Sequence, residues 1–117
     1  MLQFSTTTRV FVHRFDTDMR KSFDGLHAIV KNTFGLNVLD GDLFVFFNRS
    51  GDRCKILLWD RDGLVVWAKR LERGSFQRPT STQDETVIEV DATTLALILS
   101  GIELQSAKRR KRFAVTA

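Results

Sequence analysis

Proline and cysteine are almost absent, with one of each: Pro79 and Cys54. A single cysteine excludes a disulfide framework within the chain, so its 117 residues must fold around an apolar core of their own. Cys54 stands inside an apolar stretch, the setting of a small buried hydrophobe rather than a reactive thiol, and a reducing cytoplasm is the expected compartment. No apolar run approaches the ~20 residues that a membrane span requires. The opening MLQFSTTTRVFVHRF lacks the basic, apolar and small-residue succession of a signal peptide, so a soluble, unexported protein is expected. The two histidines, His13 and His27, are isolated from each other and from any motif. No internal repeat, phosphate-cradling glycine loop, helix-turn-helix, zinc finger or RNA-binding signature occurs.

What is present is an ordinary globular composition, 43% hydrophobic and 27% charged, with a net charge of +4 that is unevenly spread. Five cations, Lys108, Arg109, Arg110, Lys111 and Arg112, are consecutive. Setting those five aside leaves 13 basic residues of the 18 against 14 acidic ones, a net of −1. The body is nearly neutral and the excess belongs to a tail. Like charges in a block repel one another, which predicts a single folded domain over residues 1–104 and a disordered basic arm over 105–117.

Patterning predicts an α+β fold: a mostly antiparallel β-meander, an N-terminal helix packed on it and a short C-terminal helix. Arg9–Phe15 alternates as a strand does. Phe23, Leu26, Ile29, Val30 and Phe34 recur at helical spacing, with Asp18 or Ser22 to cap the start and Gly35 to end it. Gly25 within that pattern implies close packing of the helix or a later start. Leu43–Asn48, Arg53–Trp59 and Leu64–Leu71 read as three strands. They are joined by the turns Arg49-Ser50-Gly51-Asp52 and Asp60-Arg61-Asp62-Gly63, whose Gly and Asp suit positive φ and local hydrogen bonds. Gln77–Thr86 is a loop. Val87–Val90 is a last strand, and Asp91 caps a helix over Ala92–Ser100 that Gly101 ends. The meander strands are apolar at both parities, so both sheet faces must be covered, the second by the C-terminal helix, a second subunit or a partner.

Four-residue turns would set Arg53 across from Arg70, with Lys55 one step along the same face and Arg49 and Arg73 flanking that sheet end. Facing cations are destabilising unless an anion compensates, which a phosphate or an acidic partner would do. Long side chains splaying into water account for any one of them equally well. Lys69, Arg70, Arg73 and Arg78 surround Phe76, a pattern that grips phosphates and stacks a base, although Phe76 suits a core plug as well. The candidate nucleic-acid contacts are therefore Arg49, Arg53, Lys55, Lys69, Arg70, Arg73 and Arg78, together with Lys108 to Arg112.

Catalysis is not expected. Cys54 has no partner geometry with either histidine, and the pairs Asp16/Asp18, Asp40/Asp42 and Asp60/Asp62 fit turns better than a metal site. No cofactor or metal is called for.

Several motifs agree in order and spacing with a known family. They are Asp18-Met19-Arg20-Lys21-Ser22-Phe23-Asp24-Gly25-Leu26, Gly41-Asp42-Leu43-Phe44-Val45-Phe46, Asn48-Arg49 and Gly51-Asp52-Arg53. Lys55-Ile56-Leu57, Trp59-Asp60, Asp62-Gly63, and Lys69-Arg70-Leu71-Glu72 with Gly74 and Phe76 continue the series. The chain resembles the accessory protein TnpB encoded by the second reading frame of insertion sequences of the sixty-sixth family, which is distinct from the RNA-guided nuclease of that name. The resemblance runs from Arg9 to Pro79 and more loosely to Gly101. Gln77-Arg78 departs from it, standing where relatives often carry an aromatic before the proline, and so does His13-Arg14-Phe15-Asp16-Thr17. The resemblance implies a non-catalytic helper of transposition, with strand transfer left to a separate transposase. Transposon-end DNA and the transposase are the candidate partners, and a homo-oligomer is a further expectation. The alternative to DNA binding is an adaptor that docks on the transposase alone.

Overall fold

The computed structural model describes residue 5, residues 7–81 and residues 83–101. Strand β1, Val10–His13, is followed by helix α1, Phe23–Ile29, which runs on into a π-helical turn, Val30–Phe34. Gly35 ends that turn at φ 67°, the left-handed conformation that its position predicts. A 3-10 turn, Val38–Asp40, leads to the meander strands β2, Leu43–Phe47, β3, Arg53–Asp60, and β4, Gly63–Arg70. Strand β5, Val87–Val90, and helix α2, Ala92–Ser100, complete the fold.

The five strands form one sheet in the order β4-β3-β2-β1-β5. The β2–β3–β4 meander is antiparallel as expected, and the α+β class holds. β1 lies parallel to β2, with α1 as the crossover, and antiparallel to β5. All of β1 and β2 is buried because both faces of the sheet are covered. On one face Phe11, Phe44, Phe46 and Leu57 pack with Leu26 and Val30. On the other, Val10, Val12, Val45, Phe47 and Ile56 pack with Leu95 and Ile98 of α2. Of the three covers that the apolar parity allowed, the C-terminal helix is the one found. Cys54 is fully buried in this second layer, and burial pushes its thiol up to about 12.

Local signals differ in how well they held. Asp91 caps α2, its carboxylate accepting the Thr94 N–H at 2.7 Å. Ser22 makes no such bond at α1, and Asp18 accepts from the backbone and guanidinium of Arg20 instead. At Gly25 the closest neighbour is the segment leading into the helix, a Cβ there lying 3.1 Å from Lys21 Cβ. Phe23, read as part of the apolar stripe, is 48% exposed, so the stripe begins at Leu26. The β3–β4 turn is tighter than expected. Pairing continues to Asp60 and Gly63, leaving Arg61-Asp62 as a two-residue loop with the positive φ, 53°, on Arg61 rather than on a glycine. Among the described residues no helix is long and apolar enough to cross a membrane.

Candidate nucleic-acid interface

Three segments meet at the end of the sheet where β3 begins and β4 finishes. The first is the β2–β3 turn. Its Asn48 side chain accepts the Arg53 N–H at 3.0 Å and donates to Asp52 at 2.7 Å, and this second bond holds the Asp52 carboxyl below its usual range. Gly51, at φ 73°, completes the turn. The second segment, after β4, folds back onto it: Leu71 N–H donates to the Asp52 carbonyl at 2.7 Å and Phe76 N–H to the Gly51 carbonyl at 2.8 Å. The approach is close, since a Cβ on Gly51 would meet Ser75 Cβ at 3.3 Å. The third is the connection from β1 to α1, tied down by Thr17 N–H to the Phe47 carbonyl at 2.8 Å.

Two adjoining depressions result. One, of about 440 Å³, is lined by Met19, Arg53, Cys54, Lys55, Ala68, Lys69, Arg70 and Glu72. The other, of about 350 Å³, is lined by Thr17, Asp18, Met19, Arg20, Asn48, Arg49, Ser50 and Arg53. Met19 and Arg53 belong to both, so the two form one groove with six cations and two carboxylates in its walls. Both carboxylates are engaged: Asp18 with Arg20 at 2.7 Å and Glu72 with Arg70 at 3.5 Å. The Arg20 guanidinium draws the Asp18 carboxyl down to about 2.

The predicted register is correct: Arg53 stands directly across from Arg70. Arg49 and Arg53 are exposed, and neither forms an ion pair among the described residues. Lys55 shares their face but does a second job. Its ammonium donates to the Met19 and Lys21 carbonyls, 2.8 Å each, and so fastens the entry to α1 to the groove floor. Lys69 is separated from the group by strand parity, which alternates side chains between faces. It reaches across to α2 and donates to the Leu99 carbonyl at 3.0 Å, a cation at the negative end of that helix. Arg73 sits in the segment folded onto the β2–β3 turn, near the same end.

Arg78 belongs elsewhere. It pairs with Asp16 at 2.9 Å, donates to the Arg14 carbonyl at 2.8 Å and lies over the Phe47 ring, 5.3 Å from its centroid. Phe76 is the core plug and not a stacking platform, being buried with its ring centroid 5.7 Å from that of Phe47. Lys108, Arg109, Arg110, Lys111 and Arg112 lie outside the described residues. Arg20 is a groove cation that sequence reasoning passed over; its signal was the Asp18-Met19-Arg20 run just before the helix. Asp60 and Asp62 stand in the β3–β4 turn and Asp18 accepts the Arg20 N–H, as turn residues do, while Asp16 also pairs with Arg78 and Asp42 with Arg9 at 3.0 Å. Among the described residues no three His, Cys, Asp or Glu side chains converge to hold a metal ion. The groove is chemically suited to an anion: of the four guanidinium groups in its walls, those of Arg53 and Arg70 stand across from each other.

The family model described as "IS66 Orf2 like protein" matches residues 8–109. The chain belongs to that family. The match takes in every described strand and helix and extends past the reach of the sequence motifs into the basic run, as far as Arg109. The chain is similar to "Uncharacterized protein y4hO" of Sinorhizobium fredii (strain NBRC 101917 / NGR234), 38% identical over 103 residues that make up 88% of each protein. It is also similar to "Uncharacterized protein y4jC" of the same strain, 27% identical over 110 residues, or 94% of this chain and 92% of that one. No solved structure matches it. Membership makes this an accessory protein of an insertion sequence, and the groove is the part of that accessory fold with a defined electrostatic character.

Proposed function

We propose that this accessory protein binds DNA during transposition, holding the phosphate backbone in the groove at the end of the sheet. The observation that carries the reading is the convergence of Arg20, Arg49, Arg53, Lys55 and Arg70 on one continuous groove. Facing cations such as Arg53 and Arg70 raise the energy of the unliganded protein, and a phosphate between them removes that cost. Phosphate contacts carry no sequence information of their own, so the module adds affinity and orientation while another component supplies sequence choice. The basic run from Lys108 to Arg112 adds a second set of phosphate contacts.

Titration of element-end DNA in a gel-shift assay over a range of salt tests this. Binding should weaken steeply with salt, and the double variant Arg49→Gln/Arg53→Gln should shallow the dependence of log Kobs on log salt by about 2. No shift at low salt would remove the DNA reading and leave the transposase as the partner. The second apolar sheet face, which a docking partner could have covered, lies under α2. Docking on the transposase would then have to use a different surface.

A further inference from the structure

β4 is an edge strand of eight residues, twice the length of β5 at the opposite edge. Exposed edges present unpaired backbone donors and acceptors, and soluble proteins blunt them with proline, a bulge, charge or brevity. Along Leu64–Ala68 none of these occurs: five consecutive uncharged residues, no proline, and an unbroken register with β3 from Arg53–Arg70 to Asp60–Gly63. Val65 there is 38% exposed.

The hairpin fixes which groups are open. Asp60 and Gly63 close a two-residue loop as a hydrogen-bonded pair, and hydrogen-bonded and open pairs then alternate along the ladder. Leu71 N–H on the Asp52 carbonyl agrees with that alternation. The backbone N–H and C=O groups of Leu64, Val66, Ala68 and Arg70 therefore point away from β3.

Charge along this edge is polarised, with Asp62 at the turn and Arg70 at the far end. We infer that β4 pairs antiparallel with β4 of a second copy of this chain, across a two-fold axis at Val66, to make one ten-stranded sheet. In that register Leu64 faces Ala68 of the second copy, Val65 faces Trp67, and Asp62 faces Arg70, each contact occurring twice by symmetry. Sliding by two residues in the sum of paired numbers sets Arg61 against Lys69 in one direction and Asp62 against Glu72 in the other. Of these three registers only the Val66-centred one brings opposite charges together at its ends, where loop residue Asp62 meets Arg70, without opposing like ones. Because paired residues point to the same face, the two basic grooves would lie on one side of the joint sheet. The pairing does not depend on the groove binding DNA.

Sedimentation equilibrium of the full chain, with circular dichroism to verify folding, tests the inference. Val66→Pro removes an outward N–H and leaves the β3 ladder whole, a position at which an edge strand tolerates proline. Wild type is expected to dimerise and a folded Val66→Pro to be monomeric. A charge series gives a second arm if the proline variant unfolds. Asp62→Arg and Arg70→Asp should each weaken the dimer by roughly tenfold, and the double variant should recover it. A monomeric wild type, a dimer that survives in folded Val66→Pro, or a charge series without effect would overturn the pairing.

Discussion

His13 shows how a single residue ties pH to stability in this fold. Its Nδ1 lies 3.2 Å from the Thr17 hydroxyl, and its ring packs against Phe34 and Phe46 at centroid distances of 5.5 and 6.0 Å. Burial, helped by the nearby Arg78 charge, lowers its pKa from the ordinary histidine value of 6.5. In the unfolded chain the same ring takes up a proton near pH 6.5. Between the lowered folded value and 6.5, the unfolded state therefore binds more protons, and stability falls as pH falls through that window. Above it the contribution is constant. Thermal melts from about pH 7.5 down to about pH 5.5 should show a steeper loss of Tm for wild type than for His13→Gln, which has nothing to protonate there. Equal slopes would mean that the ring is charged in the folded state as readily as in the unfolded one.

Among the elements, all five strands were legible in the sequence, but only the meander's pairing was. β2, β3 and β4 are joined by short turns, so local chemistry at Gly51 and at Asp60–Gly63 fixes their register, and the facing of Arg53 and Arg70 follows. The insertion of β1 between β2 and β5 depends on pairings distant along the chain, which no local pattern reports. Buried parity announced that both faces were covered but could not say by what. The same limit applies to the site. Alternation put Arg53, Lys55 and Arg70 on one face, while the backbone carbonyls that claim Lys55 and Lys69 come from other elements and left no trace in spacing. This division predicts opposite outcomes for neighbouring cations. Lys55→Met strands the Met19 and Lys21 carbonyls and should cost about 1–3 kcal/mol in denaturant melts. Arg53→Gln relieves a facing like charge and should leave stability within about 0.5 kcal/mol or raise it, while weakening DNA binding. A substitution that is harmless to the fold and harmful to binding marks Arg53 as kept for the ligand.

At the scale of the whole molecule five of the 18 basic residues are consecutive, Lys108 to Arg112, and the remainder of the chain is nearly neutral. The groove concentrates what positive charge the body has, and the tail supplies a block that sequence alone reveals. Counterion release gives a way to apportion DNA binding between them, because each phosphate contact contributes about 0.9 to the slope of log Kobs against log salt. Replacing Lys108, Arg109, Arg110, Lys111 and Arg112 with Gln keeps the chain length and should shallow that slope by about 4–5 if all five meet phosphates. The groove variant Arg49→Gln/Arg53→Gln should subtract about 2, and combining the two sets should subtract nearly the sum if the two act as independent phosphate contacts. If the tail variant abolishes the slope by itself, the tail alone meets the backbone and the groove is left for an anionic surface on protein. If the tail variant retains a slope that the groove variant then removes, the folded body holds DNA in its own right and the tail extends its reach.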